Sequence, residues 1–161
     1  MEIRTTGYGH PDAVRLSAEV QQEYVRRYGD ADVTVMHPDH FEPPAGIFVV
    51  GYLDGQPVAC GGWRAKETDG AGVREGDAEL KRMYVTPAAR GRGLARAVLR
   101  HLERTAAEAG RTRVILESGT EQPEALALYA SEGYEAITKF GVYKDHPQSV
   151  CMGKPLVPEA G

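Results

Sequence analysis

Residues 85–99 read VTPAARGRGLARAVL, and this stretch decides the fold. Its first residues are typical of the end of a strand, and its apolar residues from Gly93 onward recur at the spacing of a helix face. The loop between them contains Gly91 and Gly93. The first N–H groups of a helix lack internal partners, and glycine lets a ligand approach them closely. Strand, glycine loop and helix together predict a site for a phosphate or pyrophosphate.

The loop alone is weak evidence for such a site, because glycines at a helix start also occur as plain turn chemistry. Two familiar nucleotide-binding patterns are absent from the sequence. It contains no GxxxxGK[ST], and no GxGxxG followed by an acidic residue on a later strand. The loop therefore has to be interpreted together with the rest of the chain.

The segments beside the loop carry alternating strand and helix signals. Residues 78–85 form a predicted strand before it, and residues 93–109 form a predicted helix that Gly110 ends. Residues 113–117 are a short apolar run, as expected of a strand buried on both faces. Strand, helix and strand in this order predict a right-handed crossover unit.

The outer segments extend this pattern on both sides. A helix is predicted to begin near Pro11 and end at Gly29, and a second one to begin at Pro123 and end before Gly133. The predicted strands cover residues 1–5, 47–53, 57–64, 134–140 and 149–156, and exposed loops cover residues 30–46 and 66–77. The fold class is therefore α/β, with one domain over residues 1–161.

The composition excludes several classes of protein. The 161 residues suit one domain, and 42% hydrophobic and 26% charged residues are typical of a globular protein. A net charge of -4 without a basic stripe makes nucleic acid an unlikely partner. Cys60 and Cys151 form no disulfide framework or metal motif. Because no membrane-length apolar run or signal peptide is visible, a cytoplasmic location is expected.

Three motifs in order resemble the GNAT superfamily of N-acetyltransferases. Residues 90–95, RGRGLA, match the pattern [RQ]xxGx[GA], and the strand over residues 80–85 followed by Thr86-Pro87 is similar to the family's preceding strand. Residues 122–134, QPEALALYASEGY, carry the third motif. The resemblance covers residues 47–156. It implies a mixed, mostly antiparallel sheet that splays to admit pantetheine, and acetyl transfer from acetyl-coenzyme A to a primary amine, without a metal. A homodimer is common in such families.

The resemblance also implies positions for the coenzyme. Backbone groups of Met83 and Val85 would pair with pantetheine as another strand does, and Gln122 stands where many relatives have an asparagine that binds the same arm. Glutamine offers the same amide groups on a longer stem. The pyrophosphate would bind the N–H groups of six consecutive residues, Arg90, Gly91, Arg92, Gly93, Leu94 and Ala95. The two arginine side chains either contact phosphates or are solvated surface residues.

Two residues are candidates for proton transfer. Glu79 lies eleven residues before Arg90, a spacing at which some members carry a general base. Its alternative is a strand carboxylate paired with a nearby arginine. Tyr129 matches the family tyrosine that protonates the leaving thiolate, and its alternative is a core aromatic residue. A phenol and a thiol differ by about 1.5 pKa units, which positioning can overcome.

Several alternatives remain at this point. The domain could sense acyl-coenzyme A without turnover, or act as a toxin on aminoacyl-tRNA, which the net charge disfavours. His37 and His40 are too few ligands for a metal site, and a covalent route through Cys151 is less expected than direct transfer. The acceptor, a small-molecule or peptide amine, is not named by the sequence.

Overall fold

The protein is described by a computed structural model over residues 1–66 and 72–156. Within these residues, seven strands form one sheet in the order β1-β2-β3-β4-β5-β7-β6. The strands are β1 Glu2–Thr5, β2 Gly46–Leu53, β3 Gln56–Lys66, β4 Asp77–Val85, β5 Arg113–Gly119, β6 Glu135–Ala136 and β7 Ser149–Pro155. The helices are α1 Pro11–Tyr28, α2 Leu94–Glu108 and α3 Pro123–Ser131, with short 3₁₀ turns at Pro38–Phe41 and Pro87–Ala89.

The sheet splays in its centre, as the resemblance implies. Neighbouring strands are antiparallel except β4 and β5, which run parallel. Their pairing covers only Asp77–Glu79 against Arg113–Ile115, so the second half of β4 has no strand on its β5 side. A bulge adds to this distortion, because Arg82 has a φ of 58° and the β3–β4 register shifts there. The mixed α/β class and the splayed sheet are confirmed.

Each face of the sheet is covered by a different helix. Helix α2 buries Val98, Leu99 and Leu102 on one face, where Thr105 accepts a hydrogen bond from Trp63 Nε1 at 3.0 Å. Helix α1 buries Leu16 and Val20 on the other face, among aromatic side chains of the loop and β2. Burying such a side chain contributes about 1.5–3 kcal/mol, so both helices are fixed by packing. No helix in the described ranges is long and apolar enough to cross a membrane.

The strand predicted over residues 134–140 is mostly absent. Only Glu135–Ala136 pairs with β7, and Ile137 adds one backbone bond to Cys151 O at 3.1 Å. Phe140, 2% exposed, then packs into a core cluster with Ile115 and Cys151. The prediction was wrong here because a segment that buries only single side chains, without strand pairing, can have the same composition as a short strand.

The exposed loop predicted over residues 66–77 is also shorter than expected, and residues 67–71 lie outside the described part. Strand β3 runs to Lys66, and Asp77, fully buried, begins β4. Asp77 accepts two hydrogen bonds of 2.7 Å from the Arg113 guanidinium. A buried carboxylate needs such a partner, and this one lies 36 residues later, where local sequence gives no sign of it.

Candidate active site

The glycine loop, residues 90–95, has the geometry of an anion site. Gly91 and Gly93 have φ angles of 81° and 75°, a conformation that costs other residues about 1–2 kcal/mol. Nothing lies within 4 Å of a Cβ placed on either glycine. Among the described residues, none accepts a hydrogen bond from the backbone N–H groups of residues 91–95. These groups, at the positive end of the α2 dipole, fit a pyrophosphate.

The two arginines of the loop have different environments. Arg90 forms an ion pair with Glu23 of α1 at 3.0 Å, and its Nε donates to the carbonyl of Val85 at 3.0 Å. Arg92 is exposed. The Val85 carbonyl, predicted to pair with pantetheine, therefore already carries an internal donor. The carbonyl keeps a second lone pair and the guanidinium keeps unused N–H donors, so both groups can still contact a coenzyme.

Strand β4 presents a free edge between this loop and the splay. Met83, partly buried, packs its sulfur where a Cβ on Gly61 would lie, 2.6 Å away. A Cβ at position 61 would therefore require that side chain to move. Leu94 and Ala95 are partly buried against the same core cluster and anchor the first turn of α2. The edge and the loop thus form one continuous surface along β4.

A cleft of about 500 Å³ opens where β4 and β5 diverge, a volume in the usual range for small-molecule sites. It is lined by residues from the end of α1 and the loop after it, from β4 and β5, and from the loop before β7. Its charged or titratable groups other than tyrosines are Asp30, Asp32, Lys81, Arg82, Glu117 and His146.

Asp32 is the centre of an ion cluster in this cleft. Its Oδ2 atom accepts hydrogen bonds from Lys81 Nζ at 3.0 Å and from the Arg82 guanidinium at 2.7 Å. Its Oδ1 atom accepts a hydrogen bond from Thr34 N at 2.9 Å. Burial opposes the charge of Asp32, but Lys81, the Thr34 hydrogen bonds and Arg82 outweigh it and hold its pKa well below the ordinary value. The carboxylate is therefore ionised at every pH at which the protein would act.

Glu117 is the other half-buried carboxylate of the cleft, and its pKa is shifted in the opposite direction. Burial raises its pKa, and a 3.0 Å hydrogen bond from Ser149 Oγ offsets part of this rise. A carboxylate with a raised pKa is a stronger base than an ordinary one, as proton abstraction at neutral pH requires. Sequence analysis missed Glu117; an acid at the end of the apolar strand over residues 113–117 was the available signal.

Glu79 lies elsewhere. Its carboxylate is 5% exposed and accepts a 2.9 Å hydrogen bond from Arg64 Nε, and it is not among the residues that line the cleft. Arg64 also donates to Val35 O at 2.8 Å and approaches His40 Nδ1 at 3.3 Å. Within residues 1–66 and 72–156, His37 and His40 belong to no group of three or more possible metal ligands.

Tyr129, on α3, is buried in the core cluster to which α2 also contributes, and it does not line the cleft. Its ring lies 5.7 Å from that of Tyr134, and no hydrogen-bond partner of its hydroxyl occurs in the described part of the chain. Burial raises its pKa, and nearby Tyr24, a cleft residue, raises it further. Gln122 lines the cleft and accepts a hydrogen bond from the Tyr28 hydroxyl at 3.2 Å.

Comparisons with known proteins agree with this geometry. The sequence model of the Acetyltransferase (GNAT) family matches residues 13–134. An IAA acetyltransferase of Azospirillum brasilense is 38% identical over 109 residues, covering 68% of this chain and 67% of its own. The uncharacterised N-acetyltransferase YjgM of Escherichia coli is 32% identical over 141 residues, covering 83% and 81%. A Klebsiella pneumoniae crystal structure, ascribed to an acyl-CoA N-acyltransferase, has a TM-score of 0.76 at 28% identity and covers 97% of both chains.

Proposed function

Because the chain belongs to the GNAT family of acetyltransferases, we propose that it moves an acetyl group from acetyl-coenzyme A to a primary amine held in the cleft. The observation that carries the proposal is the free edge of β4. It runs from the cleft, which Leu80 and Arg82 line, to the glycine loop just beyond Val85. A coenzyme that lies along this edge, with its pyrophosphate at the loop, presents its thioester at the cleft.

Different residues of the chain bind the coenzyme and transfer protons in the proposed reaction. Bound acetyl-coenzyme A supplies a thioester, whose C–S bond breaks as a C–N bond forms to the amine. The N–H groups of residues 91–95 hold the pyrophosphate, and Met83, Val85 and Gln122 position the pantetheine arm. We assign to Tyr129, which lies near the cleft residue Tyr24 but does not itself line the cleft, the role of donating the proton that the departing sulfur needs. Its raised pKa keeps the hydroxyl protonated at neutral pH, although it also makes the phenol a weaker acid.

The amine must lose a proton, and two carboxylates compete for this role. An amine of pKa 10.4 is neutral at pH 7 only at a cost of about 4.6 kcal/mol, so a nearby base contributes substantially. Glu79 is the base that family spacing predicts, but its carboxylate is paired with Arg64. Glu117 lines the cleft and has a raised pKa. We therefore place the proton on Glu117, directly or through water, and keep Glu79 as the alternative.

The experiment compares Glu117→Gln with Glu79→Gln, reading turnover of an amine panel by release of free thiol. Loss of the base lowers turnover about a hundred- to ten-thousand-fold. We expect that loss for Glu117→Gln, whereas Glu79→Gln lowers mainly the melting temperature because it breaks a buried ion pair. The reverse pattern would establish Glu79 as the base. If the parent protein binds acetyl-coenzyme A and acetylates no amine, the proposal fails in favour of a non-catalytic sensor.

A further inference from the structure

The bulge in β4 places two consecutive cations in the cleft. Neighbouring residues of a regular strand point to opposite faces of the sheet. Arg82 has a φ of 58°, so the alternation breaks, and Lys81 and Arg82 both line the cleft and bond to the same oxygen of Asp32. A positive φ at a non-glycine residue is strained, and such strain is retained where the surroundings impose it. The result is a concentration of positive charge on this wall.

In the described part of the chain, Lys81 and Arg82 have one direct ion-pair partner between them, Asp32, and Glu117 is a further carboxylate of the cleft that interacts with Lys81. Lys81 and Arg82 carry two charges and share one carboxylate, while their side chains are 10% and 3% exposed. Asp32 is the only hydrogen-bond partner of the Lys81 ammonium among the described residues, which leaves two of its three N–H donors free. Arg82 Nε is buried and has no hydrogen-bond partner there either. Buried cations with free donors favour an anionic ligand group.

The facing wall supplies a negative charge. Glu117 lies on β5, which diverges from β4 across the cleft. Its ionised carboxylate can pair with the ammonium of an acceptor and accept its proton, which leaves a neutral carboxyl group and a neutral amine. The walls near these charges are aromatic, since Tyr24, Tyr28 and Tyr143 line the same cleft. The site therefore combines a cationic wall, an acidic wall and an apolar lining.

We infer that the acceptor is an α-amino acid with a large apolar side chain, whose carboxylate binds Lys81 while its amine faces Glu117. This inference rests on the proposed acetyl transfer and names the substrate class of the same site. Polyamines lack the anionic group that the cationic wall requires. The N-terminus of a peptide also lacks it, because its α-carboxylate has become a neutral amide.

The test uses three acceptors that differ at one position: L-phenylalanine, 2-phenylethylamine and L-phenylalaninamide. Thiol release is measured with saturating acetyl-coenzyme A, and kcat/KM is expressed per neutral amine. We expect L-phenylalanine to exceed both other acceptors by at least about tenfold, the discrimination that one charge-assisted hydrogen bond provides. In Lys81→Met this ratio falls to about threefold or less, because the variant keeps the length of the side chain and removes its charge. Lys144→Met, at an exposed position that does not line the cleft, keeps the parent ratio.

A second variant, Asp32→Asn, tests the inference independently in case Lys81→Met does not fold. Asp32→Asn frees both cations, so it lowers KM for L-phenylalanine relative to 2-phenylethylamine. Equal kcat/KM for the three acceptors, or a ratio unchanged in Lys81→Met, overturns the amino-acid assignment and leaves acetyl transfer standing. If none of the three acceptors nor any amine of a broad panel releases thiol although the coenzyme binds, the proposed function itself has failed.

Discussion

The glycine loop is built from six consecutive residues, 90–95, whereas the cleft takes its charged groups from segments as distant as Asp32 and Glu117. The loop is exposed and offers backbone N–H groups, which any sequence with glycine at the right positions can present. The cleft offers buried side chains, each of which needs a partner. The difference predicts that the loop depends on backbone conformation, and that the cleft depends on individual charges and hydroxyls.

The largest effect is expected at the loop. Gly93→Glu adds a side chain at a φ of 75° and a negative charge beside the pyrophosphate, so we expect acetyl-coenzyme A to bind at least about a hundredfold more weakly in calorimetry. Gly110→Glu is the matched control, since Gly110 has a φ of 83°, equally open surroundings and a place at the other end of α2. Equal losses in the two variants would mean that strain, not the loop, weakens binding.

The next largest effect is expected at the hydroxyl of Tyr129. Tyr129→Phe keeps the ring and removes the proton donor, so turnover falls at least about tenfold while melting temperature and coenzyme affinity change little. The loss is smaller with an acyl donor whose thiol is more acidic, because that leaving group needs less protonation.

Tyr134→Phe is the control for this prediction, because Tyr134 lies next to Tyr129 and its hydroxyl donates to Glu103 at 2.8 Å. It should lower stability by about 1 kcal/mol without slowing turnover. If Tyr129→Phe turns over as fast as the parent, Tyr129 is only a core residue.

A smaller effect on coenzyme affinity is expected from the ion pair between Glu23 of α1 and Arg90 of the glycine loop. Glu23→Gln removes the anion that pairs with Arg90, so the arginine becomes more available to a phosphate and acetyl-coenzyme A binds about threefold more tightly. The gain should vanish at high salt. Glu19→Gln, one turn earlier on α1 and paired with Arg15, is the control. Unchanged affinity in Glu23→Gln would show that the Arg90 side chain does not contact the coenzyme.

The smallest effect concerns pH and the cleft. Glu117 acts as a base only when ionised, and the Ser149 hydrogen bond lowers its pKa against the larger effect of burial. Ser149→Ala removes that bond, so the pKa rises further and the acid limb of kcat/KM moves to higher pH. Ser131→Ala, on the exposed end of α3, leaves the limb in place. A limb that stays fixed in Ser149→Ala indicates another base.

Local features were predictable because their physical causes are local. The helix over residues 93–109 agrees with α2 Leu94–Glu108, since its apolar spacing and the glycines that bound it all lie within the segment. The hairpin turn between β2 and β3 falls at Asp54-Gly55, as the predicted strand ends require. The loop geometry at Gly91 and Gly93 likewise follows from residue type.

Long-range electrostatics could not be predicted in the same way. Glu79 was a candidate base because of its spacing from Arg90, but in the fold its carboxylate forms an ion pair with Arg64 on the adjacent strand. The sequence placed Glu117 at the end of an apolar strand but gave no sign of the pKa shifts of Asp32 and Glu117, because the cations and the hydroxyl that act on them come from distant segments.

The sequence by itself determined the family, the order of most elements and the backbone conformation of the glycine loop, since backbone conformation and amphipathic spacing are encoded within a few residues. The tertiary structure decided which carboxylates are paired and which one faces the cleft. It also decided that Lys81 and Arg82 face the same side, through the bulge at a φ of 58°. Charge interactions depend on distance in space and on burial, and both exist only once the chain has folded.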